Sequence, residues 1–233
     1  MVNTESFVIP DEAIPYIGLQ WPGAAKHAEF RNPETQFDAM AKASPQQKSK
    51  IVNFYTEKLQ KDWETIVHYL PSKVRTIMDI GCGTAGIDVA LAKHFIEKEV
   101  SPRFILLDKS EVSENLTYGF KGRKRFYASL DIAKLFLTSN GVEPEKVYTC
   151  EVGSLLPYRS DVDLLISLHS WGFHYPVDTY LEFARAILSN GGIGVTDVRN
   201  EKESIDSFRG AFHHVRVLQN TGQRSRVLFR YPR

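Results

Sequence analysis

The sequence predicts an α/β protein, a mixed sheet of about seven strands covered by helices on both faces, behind a helical N-terminal cap. Three observations predict it. From residue 74 onward, short apolar runs alternate with segments of helical period, the order of parallel βαβ units. The stretch DIGCGTAG, residues 79–86, joins the first run to the first helix through a glycine-rich turn. Near the end the rhythm breaks, because only Asn220–Ser225 separates the strand-like runs His214–Gln219 and Arg226–Arg230. A parallel crossover needs a dozen or more residues, so these strands form an antiparallel hairpin.

The elements follow in order. Residues 1–45 read as irregular, with Pro10, Pro15, Trp21-Pro22-Gly23 and Asn32-Pro33 as turn formers. Ser44-Pro45 then starts a helix, serine at the N-cap and proline at the first helical position. Its apolar residues Ile51, Tyr55, Leu59, Trp63, Ile66, Val67 and Leu70 form a one-sided stripe, and Pro71 ends it. Residues 1–72 thus read as a cap or lid, the helix's aromatics fitting a dimerisation surface as well, and residues 73–233 as a second, sheet-based domain. In that domain Val74–Ile80 is a buried strand and Gly86–Phe95 a helix, and Arg103–Leu107 is a second strand ending at Asp108. Arg125–Ser139 reads as a helix, Lys146–Val152 and Val162–Leu168 as strands, and Val177–Leu188 as a helix. Asn190-Gly191-Gly192 caps that helix before a fifth strand, Ile193–Asp197.

Composition narrows the class. The chain has 233 residues, 42% hydrophobic and 24% charged, with a net charge of +1. No global field draws such a protein toward nucleic acid or membrane. The start has no basic region followed by a sustained apolar run, and no window of about 18 apolar residues occurs, so neither a signal peptide nor a transmembrane helix is expected. The two cysteines, Cys82 and Cys150, lack metal-site spacing and form no disulfide framework. A reduced, cytoplasmic protein is the expectation.

The glycine loop spells Gly81-x-Gly83-x-x-Gly86. Such glycines let backbone approach a ligand and let a helix pack closely, and the helix N-terminus offers free N–H groups. The spacing by itself is weak, and a plain tight turn or a nicotinamide dehydrogenase also fits it. Asp79 argues against a dinucleotide, since a carboxylate there repels a pyrophosphate but can meet an ammonium group directly or through water. Asp108, at the end of the second strand, is placed for ribose hydroxyls.

With Asp79-x-Gly81-x-Gly83-x-x-Gly86, Asp108, Asn190-Gly191-Gly192 and the terminal hairpin together, residues 74–230 resemble the class I S-adenosylmethionine-dependent methyltransferases. The resemblance implies a Rossmann-like seven-stranded mixed sheet with an antiparallel C-terminal hairpin, and S-adenosyl-L-methionine across the carboxyl ends of strands one to four. It assigns Asp79, Gly81, Cys82, Gly83, Gly86, Asp108, Lys109, Glu151, Val152, Gly153, Ser167 and Leu168 to the cofactor. The family's acidic residue near the adenine is replaced by Val152-Gly153-Ser154, which leaves the partner of the adenine amino group open.

The acceptor belongs outside the strand ends, where LISLHSWGFHYP, residues 165–176, clusters aromatic and histidine side chains. Trp171, Phe173 and Tyr175 are candidate substrate walls, Trp171 and Phe173 being equally fit to cover the sheet edge. A hydroxyl acceptor must lose a proton, and imidazole titrates near neutrality. His174 is the first candidate base and His169 the second, the latter also readable as a core or cofactor-wall residue. Methyl transfer asks for little more than alignment. No Asp/Asn-Pro-Pro-aromatic or Pro-Cys motif of the base-methylating enzymes is present, and no metal site is expected, Asp197 and Asn200 lacking a third ligand.

Residues 116–142 interleave Tyr118, Phe120, Phe126 and Tyr127 with Lys121, Arg123, Lys124 and Arg125, either a solvated basic loop or a surface for an anionic substrate. With Trp171–Pro176 the pattern is loosely similar to sugar O-methyltransferases. The sequence therefore supports an O-methyltransferase acting on a small polar acceptor. An RNA or nucleotide methyltransferase is the second reading, and a catalytically silent partner subunit the third.

Overall fold

The computed structural model describes residues 2–32, 36–110, 129–154, 162–200 and 202–230. Seven strands form one sheet in the order β3-β2-β1-β4-β5-β7-β6. They are β1 (Thr76–Ile80), β2 (Arg103–Asp108), β3 (Val147–Glu151), β4 (Val162–Ser167), β5 (Leu188–Arg199), β6 (His214–Asn220) and β7 (Arg224–Arg230). Strands β1 to β5 pair in parallel, and β7 runs antiparallel to both β5 and β6. The expected reversed hairpin is present.

The helices are α1 (Ile14–Gln20), α2 (Pro22–His27), α3 (Phe37–Ala41), α4 (Pro45–Ile66), α5 (Gly86–Ile96), α6 (Leu130–Ser139), α7 (Leu181–Ile187) and α8 (Lys202–Ala211). Helix α4 begins as its sequence dictates: the Ser44 hydroxyl accepts from the Gln47 N–H, the Gln47 side chain answers the Ser44 N–H, and Pro45 stands in the first turn. Its stripe is buried, with Ile51, Tyr55, Leu59, Trp63 and Ile66 all enclosed.

Sequence reading missed three features of the fold. The first 45 residues are not irregular: α1, α2 and α3 bury Ile14, Ile17, Ala24, Ala25 and Met40 in the same core as Ile77, Leu106 and Leu164 of the sheet. The cap is therefore packed on the sheet by a shared apolar core. Residues 190–192 do not cap a helix. They lie within β5, where pairing to β4 jumps from Val162↔Leu188 to Leu164↔Ile193, so the extra residues form a bulge. Helix α8 had no counterpart in the expected elements, yet it buries Phe208 against Trp171 and Phe229.

Part of the expected helix 125–139 and the aromatic-basic stretch as far as residue 128 lie outside the described residues. Among the described residues no helix is long and apolar enough to cross a membrane.

Candidate functional site

The site gathers at the carboxyl ends of β1, β2, β3 and β4. Strand β1 ends at Ile80, and Gly81 turns the chain in a left-handed conformation, φ +76°, its N–H donating to the Leu107 carbonyl. A Cβ on Gly81 would stand 1.9 Å from the Ser170 hydroxyl, and one on Gly83 2.2 Å from the Gln20 amide. Close approach and φ both favour glycine at Gly81, whereas at Gly83 the near atom is the movable end of Gln20. Gly86 meets the cap: its Cβ would lie 2.0 Å from the Tyr55 hydroxyl. Thr84 fastens that contact, hydrogen bonding to Tyr55 Oη at 2.8 Å and donating to Gln20 Oε1 at 3.1 Å. The buried Cys82 thiol is pushed up by burial and by Asp108, which suits a wall residue and not a nucleophile.

Asp108 shapes the loop. Its Oδ2 accepts from the Gly83 N–H at 2.6 Å and its Oδ1 from the Lys109 N–H at 2.7 Å. Burial raises its pKa to about 6 despite those two donors, and Glu151 adds to the rise. Glu151 Oε2 accepts from the Ser110 N–H at 3.0 Å. Beside it Val152 is 42% exposed, and the position above Gly153 is open, so an apolar shelf lies next to the β3 end.

Two neighbouring carboxyls beneath the loop have no hydrogen bond at three of their four oxygens. Asp79 and Asp88 are buried, and Asp79 Oδ1 and both Asp88 oxygens have no hydrogen bond. Burial drives Asp79 well above its ordinary range, with Asp88 beside it adding to the effect, and burial lifts Asp88 to about 7. Unpartnered buried carboxyls are costly, and a cation is the group that relieves them. A pyrophosphate would add charge of the same sign. The residues present thus fit a ligand with an ammonium group.

Asp79, Asp88 and Asp108 all hold protons more tightly when folded, so above about pH 4 the folded state binds more protons than the unfolded one, and stability falls as pH rises through about 6 for Asp108 and about 7 for Asp88. A cationic ligand reverses the preference and displaces a proton. Affinity for S-adenosylhomocysteine is therefore expected to rise with pH, with proton release in calorimetry wherever it rises.

After β4 the chain departs from several expectations. Ser167 is a structural residue: its hydroxyl donates to the Ile80 carbonyl at 2.6 Å and accepts from the Trp171 N–H at 3.0 Å. Leu168 is half-buried against the main core. Trp171 is not a substrate wall. It is 0% exposed, donates Nε1–H to the Val177 carbonyl at 2.7 Å and packs on Phe208 and Phe229. Tyr175 bridges to Trp171 through backbone, and the His174 ring stands edge-on to Phe173 while the His174 backbone N–H donates to the Ser170 carbonyl. Neither lines the cavity described below, whereas Phe173 does.

His169 is the residue on which the site converges. It adopts φ +60°, a strained conformation for a non-glycine residue. Its Nε2 is 3.2 Å from Asp62 Oδ2, its N–H donates to Asp197 Oδ2, and Arg224 Nη1 contacts Nδ1 and stands 2.7 Å from Nε2. Behind it Arg226, 1% exposed, reaches Asp197 with Nε and Nη2, each at 2.8 Å, and Asp62 Oδ1 with Nη2 at 2.8 Å. Burial alone would raise Asp62, but hydrogen bonding to His169 and the charge of Arg226 hold it well below the usual carboxylate range. The cluster ties α4 to β5, β7 and the turn after β4. Sequence reading did not find Asp62, Arg224 or Arg226, and it met Asp197 only as a metal candidate. Its one local trace is a charge inside the apolar stripe of α4, at Leu59, Asp62 and Ile66. Asn200, the other metal candidate, accepts from the Ser225 hydroxyl at 2.6 Å.

Next to His169 opens a cavity of about 370 Å³, walled by Trp21, Lys58, Lys61, Asp62, Phe173 and Arg224. Gln219, Thr221 and Gln223 of the β6–β7 hairpin close one side.

Comparisons with protein-family models and with curated proteins find no match. Solved structures do match. The chain superposes on the T. thermophilus 16S rRNA N2 G1207 methyltransferase, a complex with AdoMet and guanosine, with a TM-score of 0.53 and 14% identity. The fold is that of the class I S-adenosylmethionine-dependent methyltransferases. That match covers 74% of this chain but only 42% of the rRNA enzyme. A methyltransferase from Pyrococcus furiosus matches with a TM-score of 0.51 and 12% identity, over 75% of this chain and 83% of its own. A Listeria monocytogenes protein described as a class I S-adenosylmethionine-dependent methyltransferase matches with a TM-score of 0.52 and 11% identity, over 96% of this chain and 81% of its own. The methyltransferase fold thus extends over the N-terminal cap in that last alignment, and at such identities the likeness speaks for architecture.

Proposed function

We propose that this chain is an S-adenosylmethionine-dependent methyltransferase acting on a small polar acceptor, foremost a hydroxyl compound. The observation that carries the reading is the buried pair Asp79 and Asp88 at the glycine loop, of which Asp79 Oδ1 and both Asp88 oxygens have no hydrogen bond. They supply the anionic ground for the amino-acid end of the cofactor. Asp108 takes the ribose hydroxyls, and Glu151, Val152 and Gly153 form the adenine end. The cofactor, when bound, supplies an electrophilic methyl carbon on a positively charged sulfur.

The protein's own task is alignment and proton removal. The cavity lies next to His169, so His169 replaces His174 as the residue beside the acceptor. Asp62 orients the imidazole, and His169 takes the hydroxyl proton when an acceptor displaces Arg224 from the ring. A cavity of about 370 Å³ is at the lower end of ligand pockets, roughly 300–1,000 Å³, which favours a small molecule over a nucleic-acid strand.

Incubation with cofactor labelled in the methyl group and a metabolite extract tests this. Label is expected in the low-molecular-mass fraction. Cofactor binding without transfer to any acceptor would support the silent-subunit reading, and label in RNA the nucleic-acid reading.

A further inference from the structure

We infer that the cavity beside His169 is the acceptor pocket and that it takes a small organic anion, a flat body bearing a carboxylate or phosphate. This rests on the methyltransferase reading. The location follows from three elements that each place one residue on the glycine loop and a near neighbour in the cavity. Gln20 lies on Gly83 while Trp21 lines the cavity. Ser170 lies on Gly81 while His169 lines the cavity. Tyr55 touches Gly86 and Thr84, while Lys58 and Asp62, about one and two turns further along α4, face the cavity. The cavity therefore abuts the loop that the cofactor occupies.

The charge follows from which groups are already neutralised. Asp62 is spent on Arg226, Arg224 and His169. Arg224 is matched by Asp62 and Asp197. Lys58 and Lys61 have no ion pair among the described residues, and Lys58 is held only by the Phe54 ring, 5.3 Å from its centroid. Two uncompensated ammonium groups at the mouth of a semi-enclosed cavity attract an anion. Trp21 and Phe173 offer the apolar surface for the rest of the molecule, and the amides and hydroxyl of Gln219, Thr221 and Gln223 suit hydroxyl substituents.

The test is binding, read by calorimetry with S-adenosylhomocysteine present, using benzoate, phenyl phosphate and neutral benzamide as probes. The anions are expected to bind about tenfold more tightly than benzamide, with a preference that falls as salt is raised. In the Lys58→Gln/Lys61→Gln double variant that preference is lost, while affinity for S-adenosylhomocysteine and the unfolding midpoint stay unchanged. A preference for benzoate over phenyl phosphate, or the reverse, identifies which anion the pocket suits. Equal binding of charged and neutral probes, a preference that survives in the double variant, or no anion binding at about 10 mM overturns the inference. Loss of S-adenosylhomocysteine binding by the unaltered protein would instead overturn the methyltransferase reading, so the two failures are distinct.

Discussion

Arg226→Ala is expected to lower the folding stability by about 3–5 kcal/mol, read as a shift of the denaturation midpoint. The substitution removes the fully buried one of the two cations between Asp62 and Asp197, and leaves Arg224 alone against two buried carboxylates beside His169. Domains of this kind are stable by about 5–15 kcal/mol, so a third or more of the total is at stake. The penalty comes from stranding the partners, not from losing a favourable bond. Exchanging all four charges at once, Asp62→Leu and Asp197→Leu with Arg224→Met and Arg226→Met, is therefore expected to cost less than the single change. A single change costing under about 1 kcal/mol would show the cluster to be solvated and the attachment of the cap to be apolar alone.

Asp79→Asn is expected to weaken S-adenosylhomocysteine about 10- to 100-fold, the loss of a charge-assisted contact worth about 1.5–3 kcal/mol. The same change is expected to leave the ligand-free protein equally or more stable at pH ~8, because it removes a carboxyl that burial and Asp88 hold against ionisation. That opposition distinguishes a ligand-binding carboxylate from a structural one, for which stability and affinity would fall together. Titration calorimetry and thermal unfolding of the same variant read both sides.

What the sequence disclosed was what a single βαβ unit encodes. Asp79, Gly81, Gly83 and Gly86 lie in one strand–turn–helix, and Asp108 ends the next strand, so local pattern sufficed to put them at the β1–α5 turn and the end of β2. The hairpin was legible because Asn220–Ser225 is too short for a crossover. Residues 190–192 misled because Asn-Gly-Gly reads locally as a helix cap, whereas pairing of Leu188 with Val162 carries the strand through them. Trp171 misled because an aromatic at a strand end looks like a pocket wall until Phe208 and the Val177 carbonyl enclose it. The short helices α1, α2 and α3 run for 5–7 residues, the first two containing proline and glycine, too brief to show a period. The ion cluster was invisible for a different reason. Asp62 and Arg226 are 164 positions apart, and each reads as an ordinary surface charge until the fold buries both.

The central claim is that the loop after β1 sits over carboxylates meant for a cation and not for a phosphate. Calorimetric titration of the purified protein near pH 7.5 with S-adenosylhomocysteine, and separately with NADH, tests it most directly. The account predicts saturable binding of S-adenosylhomocysteine with release of a proton, and no binding of NADH. Tight binding of NADH, or the absence of any heat with S-adenosylhomocysteine at millimolar concentration, would contradict it.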